Sequence, residues 1–105
     1  MIEFDSKFHR GQVIQHKLFD YRGVIVGVDR TFQLSEEWYE NVARSRPPRE
    51  QPWYHVLVHR AQQTTYVAER HLERDASGKP IEHPLLEAYF DKFSDGFYGN
   101  SREEN

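Results

Sequence analysis

The feature that most limits what this chain can fold into is a set of four short runs rich in β-branched residues, each followed by a turn signal. GQVIQHK (11–17) leads through Leu18-Phe19-Asp20-Tyr21 into RGVIVGVD (22–29), and WYHVLVH (53–59) leads through a polar turn at 60–63 into TTYVA (64–68). Runs of this kind read as strands, and the second pair is the clearest hairpin. Gly23 and Gly27 interrupt the second run, where glycine marks a bulge, a bend or the close approach of another backbone. Such strong bending points to a small barrel. Alternation puts Trp53, His55, Leu57 and His59 on one face of the third run and Tyr54, Val56 and Val58 on the other, the better core candidate. Val13, Val24, Val26, Val56, Val58 and Val67 are the expected core.

Two segments read as helical. Ser35 is placed to cap a helix whose first turn holds Glu36 and Glu37 and whose last holds Arg44 and Arg46, before Pro47 and Pro48 end it. This predicts a short helix from Ser35 to Arg46 inside a long loop, and insertions of that length often carry function. Leu85, Leu86, Tyr89, Phe90 and Phe93 fall at helical spacing and predict a second helical region from Pro84 to Phe93. The tail from Ser94 to Asn105 is expected to be mobile at its end.

A chain of 105 residues has room for one domain and one core. Its hydrophobic fraction is only 37%, so the 14% of aromatic residues must supply much of the burial. A net charge of -3 gives no global positive field for phosphate backbones, and any nucleic-acid role needs a local patch. The absence of cysteine removes disulfides, thiolate catalysis and cysteine-ligated zinc together. No apolar stretch approaches the roughly twenty residues of a membrane span, and the acidic N-terminus has no leader pattern, so the expectation is a cytoplasmic protein with no membrane partner.

Catalytic chemistry has no foothold in the motifs. There is no GxSxG elbow and no phosphate-binding glycine loop. His55 and His59 share a strand face but stand about 13 Å apart along it, too far for one ion. No enzyme, cofactor or metal is expected.

The binding candidates lie elsewhere. Arg44, Arg46 and Arg49 fall within six residues beside Trp53 and Tyr54, a combination that contacts phosphates and stacks on bases. The same stretch also reads as a solvated helix end, with Glu40 and Glu50 lowering its potential. Tyr21 and Arg22, at the first strand turn, form a second candidate. Trp38, with Tyr39 and Trp53, could instead form an apolar patch for a protein partner.

Lys7-Phe8, Gly11-Gln12-Val13, His16, Tyr21-Arg22-Gly23-Val24-Ile25, Asp29, the run from Gln51 to Val58, and Tyr66-Val67-Ala68-Glu69 with Leu72 together resemble the YccV-like, hemimethylated-DNA-binding family of the heat-shock protein HspQ type. The resemblance runs from about Lys7 to Pro84. It implies a mainly β fold, a small SH3-like β-barrel, here with a helical insertion and a C-terminal helical segment. It also implies a non-catalytic binding protein, a homo-oligomer, and hemimethylated DNA as partner, which the net charge of -3 makes weakly bound. The alternative it carries is a stress-induced adaptor that promotes degradation by an ATP-dependent protease of the Lon or Clp type. The aromatic ending LLEAYFDKFSDGFYGNSREEN departs from the more polar tail of enterobacterial members. The resemblance assigns no DNA-contacting residues, so Tyr21, Arg22, Trp38, Arg44, Arg46, Arg49, Trp53 and Tyr54 stand on their chemistry.

Overall fold

A computed structural model describes residues 6–101. Five antiparallel strands form its centre: β1 (Val13–His16), β2 (Arg22–Asp29), β3 (Trp53–Val58), β4 (Thr64–Ala68) and β5 (Leu72–Arg74), in the spatial order β4-β3-β2-β1-β5. A single 3₁₀ turn, Glu69–His71, carries the chain from β4 at one edge to β5 at the other. The sheet therefore curls until its edges are one turn apart, but it does not close. β4 pairs only with β3 and β5 only with β1. The expected SH3-like barrel is thus an open sheet. The reason is local: the 3₁₀ turn leaves no residues to run back along β4, and after Arg74 the chain leaves the sheet through Asp75, which engages Arg22. No ladder can form across that seam.

The glycines of β2 act as the sequence suggests. A Cβ on Gly23 would stand 2.5 Å from the Val56 side chain and 2.7 Å from the Leu57 carbonyl oxygen, so β3 can approach only a glycine there. The β2–β3 register slips between Ile25 and Gly27, a bulge that turns the residues between them off the regular alternation. Val26, expected in the core, is consequently half-buried, whereas Val13, Val24, Val56, Val58 and Val67 are buried.

Both faces of the sheet are covered, so the reading of one face of β3 as the better core was too narrow. Ile14, Ile25, Tyr54, Val56 and Val67 pack with Phe8 and Leu72 on the inner face. On the outer face Val13, Val24 and Leu57 pack against Ile81 and Phe90 from the C-terminal segment, and Trp53 packs with Ala68 and Tyr39 from the insertion. Alternation cannot separate two apolar faces from one.

The insertion forms α1 (Glu36–Asn41), capped as expected by Ser35, whose Oγ accepts from the Trp38 amide at 3.0 Å. It stops short of the predicted end, leaving Arg44 and Arg46 on the following loop, where Arg46 takes a left-handed φ of 52°. The C-terminal helical segment is shorter still, one turn, α2 (Leu86–Tyr89). Phe93 belongs instead to a hairpin of β6 (Lys92–Ser94) and β7 (Phe97–Gly99). Asp95 and Gly96, with φ of 49° and 83°, make its turn, the left-handed pair that matches strand twist. Residues 102–105 of the expected mobile tail lie outside the described residues.

Candidate binding surface

Arg46 and Arg49 stand near each other, but three of the four sequence-derived arginines are already paired with acids. Arg22 turns back onto the protein: its Nε donates to Asp75 Oδ1 at 3.0 Å, and its Nη2 to the Lys79 carbonyl. Arg46 forms a two-pronged pair with Glu40 (3.0 and 2.7 Å), and Arg49 another with Glu36 (2.8 and 2.6 Å). Those hydrogen bonds hold both glutamates below the usual carboxylate range and raise both guanidinium groups. Arg49 also lies over the Tyr39 ring, 3.8 Å from its centroid. Two of the three loop arginines are therefore neutralised where they stand, by acids 6 and 13 residues back along the chain. Arg44 is exposed and lies outside these pairs.

The aromatic candidates divide in the same way. Trp53 is 1% exposed and Tyr54 0%, so neither can stack on a base. Trp53 donates its Nε1–H to the Pro48 carbonyl at 3.0 Å. Tyr54 donates to Glu69 Oε2 at 2.6 Å and accepts from the Phe8 amide at 3.3 Å. Burial first, and the adjacent Glu69 carboxylate second, push its hydroxyl well above the ordinary tyrosine range. Trp38 and Tyr21 remain half-buried. Trp38 stacks edge-on against Tyr66, and Tyr21 shares a 2.7 Å hydrogen bond with Thr65 Oγ1.

Trp38 and Tyr21 both line a groove of about 870 Å³ along the free edge of β4. One wall is the β1–β2 turn, where Leu18 and Phe19 are exposed and Phe19 stacks on His16. The other is the insertion, with Leu34, Trp38 and Val42. Sequence reasoning named four of the lining residues, Tyr21, Trp38, Arg44 and Trp53, but not the groove, because it depends on the turn and the insertion meeting across β4. The exposed pair Leu18-Phe19, inside a turn where polar residues are usual, was the available signal.

At the groove's end near His71 the cations gather. Arg70 Nη2 donates to the Ser45 carbonyl at 2.8 Å, next to Arg44, and the Lys17 amide donates to the His71 carbonyl at 2.9 Å. Burial, and then the positive charges of Arg70 and Lys17, depress the His71 imidazole. None of the residues lining the groove is acidic, although the chain carries 17 acids against 14 Lys and Arg.

A polar cluster lies on the Tyr66 side of β4, facing the insertion. Asp29 Oδ2 accepts from Tyr66 Oη at 2.7 Å and from His55 Nε2 at 3.0 Å, and Tyr66 Oη accepts from the Gln33 amide at 3.1 Å. Burial and then the Asp29 hydrogen bond raise the Tyr66 hydroxyl, the opposite of what a nucleophile needs. The cluster ties the insertion to the sheet. Among the described residues no group of three or more His, Asp, Glu or Cys is placed to hold an ion, and no helix is long and apolar enough to cross a membrane.

The family model described as hemimethylated DNA-binding protein YccV like matches residues 6–96, the whole curled sheet with its insertion and most of the C-terminal segment. The chain belongs to this YccV-like family and is a non-catalytic, DNA-binding-type protein.

Proposed function

We propose that the chain is a cytoplasmic protein that binds duplex DNA weakly, through phosphates, with Lys17, Arg44 and Arg70 as the contacts. The observation that carries this reading is the gathering of these exposed cations near His71, at a groove whose lining residues include no acid, Asp29 standing behind His55 and Tyr66. Arg22, Arg46 and Arg49 are already committed to Asp75, Glu40 and Glu36. Trp53 and Tyr54 are buried, so an apolar contact with the N6-methyl group of a hemimethylated site falls to exposed Phe19, two residues from Lys17.

The test is a titration of hemimethylated, fully methylated and unmethylated duplexes at several salt concentrations. Replacing Lys17, Arg44 and Arg70 together with Ala should lower the slope of log affinity against log salt by up to about 3 units. An unchanged slope would remove these residues as the DNA site.

The groove itself favours a second reading, the adaptor that presents proteins to a Lon- or Clp-type protease, because an exposed apolar trough is a protein-binding feature rather than a phosphate-binding one. Its experiment is degradation of a purified substrate by the protease with and without this chain. Self-association, implied by the family resemblance, would use exposed Leu85 and Phe97, which do not line the groove.

A further inference from the structure

β4 is an edge strand with one side unused. In an antiparallel pair, alternate residues turn both backbone groups toward the partner and the others turn both away. Val58 N–H donates to the Gln63 carbonyl, and Glu69 N–H to the Pro52 carbonyl. Given the β3–β4 register, Thr65 and Val67 therefore bond to β3, while Thr64 and Tyr66 point their N–H and C=O groups, and Ala68 its N–H, outward into the groove. No hydrogen bond from the backbone of Thr64 or Tyr66, or from the Ala68 N–H, to any other described group is seen, the Ala68 carbonyl being the one that opens the 3₁₀ turn. Most edge strands are blunted by charge, proline or a covering loop. Here Thr64 to Ala68 contains neither charge nor proline.

The walls suit a chain laid against this edge. A strand added there projects its side chains alternately to the two sides. On the side of Thr65, reached through Tyr21, stands the turn with Leu18 and Phe19, the latter 74% exposed. On the side of Tyr66, reached through Trp38, stands the insertion with Leu34 and Val42, the latter 58% exposed. Both alternating sets thus meet apolar surface. The charge of the trough then selects the occupant: its lining holds no carboxylate, and Arg44, Arg70 and Lys17 stand at the His71 end.

We propose that the groove is a strand-addition site, in which an extended segment of another protein, apolar at successive positions and carrying a carboxylate at the His71 end, pairs with the outward backbone groups of Thr64, Tyr66 and Ala68. Recognition of this kind takes its affinity from main-chain hydrogen bonds and its selectivity from side-chain pockets. The partner class is that of the adaptor reading, but the site does not depend on a protease. A chain that binds the peptide below without altering degradation fails as an adaptor and keeps the site.

The probe is a fluorescein-labelled peptide, Asp-Glu-Val-Leu-Val-Thr-Glu-Asp amide, with acids at both ends so that either strand direction brings one to the cations. Anisotropy should show saturable binding, and amide exchange at Thr64, Tyr66 and Ala68 should slow on its addition. The same peptide with alternate backbone amides N-methylated, or with lysines in place of its acids, should bind at least tenfold more weakly. Thr64→Pro removes one outward donor from an exposed edge position without touching the β3 ladder. Val42→Ser shortens one apolar wall. Both variants should weaken the peptide at least fivefold while retaining the parent's duplex affinity, which separates failure here from failure of the DNA reading. Equal binding of the N-methylated peptide, or equal affinity of parent and Thr64→Pro, would overturn the proposal. Protection of the three amides by duplex alone, or by raising the protein concentration alone, would assign the groove to DNA or to a second copy and overturn it equally.

Discussion

Arg22 and Asp75, 53 residues apart, hold each other at 3.0 and 3.4 Å, with the Asp75 side chain only 4% exposed. The pair joins the start of β2 to the segment that leaves β5, and so fixes the far edge of the sheet. Burial alone would raise the Asp75 carboxyl, but hydrogen bonds from Arg22, Ser77 and the Gly78 amide outweigh it and leave it below its ordinary value. Arg22→Ala would strand that carboxylate, and should cost about 2–4 kcal/mol in denaturant melts at neutral pH. Because the guanidinium is already occupied, the same variant should leave the salt slope of DNA binding unchanged, and a lowered slope would return Arg22 to the DNA surface.

Tyr54 and Glu69 make the matching joint at the near edge. Glu69 Oε2 accepts from both Tyr54 Oη (2.6 Å) and the Lys7 amide (2.9 Å), so one carboxylate anchors the N-terminal segment to the end of β4. Tyr54→Phe removes one donor from a buried acceptor and leaves the Phe8 amide without its partner. A loss of about 1–3 kcal/mol is expected, with peptide and DNA binding retained. A variant as stable as the parent would show that water replaces the hydroxyl.

Arg46 and Arg49 test the claim that ion pairing removes a cation from service. Replacing both with Ala should leave the salt slope of duplex binding within experimental error of the parent, in contrast to the Lys17, Arg44 and Arg70 set. A loss of about one unit or more would mean that phosphates displace Glu40 or Glu36.

The strands were legible because β-branching and turn residues act locally: the bounds of β2 and β4 agree with the runs read from sequence, and the Ser35 cap is where its chemistry places it. What escaped depends on distant partners. Glu36 looks like a helix start, and Glu40 only like a flanking charge that lowers the patch's potential, until Arg49, beyond the prolines, and Arg46, before them, pair with these two acids. The open seam follows from a three-residue connection whose geometry no periodicity records. The β6–β7 hairpin is a different kind of miss, since Asp95-Gly96 is a strong hairpin signal that the helical spacing of Leu86, Tyr89 and Phe93 outweighed.

His16 gives the last prediction, one in pH. It is buried on β1, and its Nδ1 accepts from the amides of both Leu18 and Phe19 at 3.1 Å, which shapes the turn that walls the groove. Burial, and then the neighbouring His71, lower its pKa from 6.5 to about 4. The folded value lies below the unfolded one, so between about pH 6.5 and about pH 4 the unfolded chain binds a proton that the native chain refuses. This contribution to stability is therefore whole above the upper limit and is lost progressively as pH falls through that window, with no further loss from His16 below it. His16→Asn offers a side-chain oxygen as acceptor and does not titrate. The difference in stability between parent and His16→Asn should accordingly shift in favour of the variant as pH is lowered from 7 to 4, while the folded parent keeps its Nδ1 acceptor until pH nears 4. Parallel stability curves for the two proteins across that interval would show that folding does not depress the His16 imidazole.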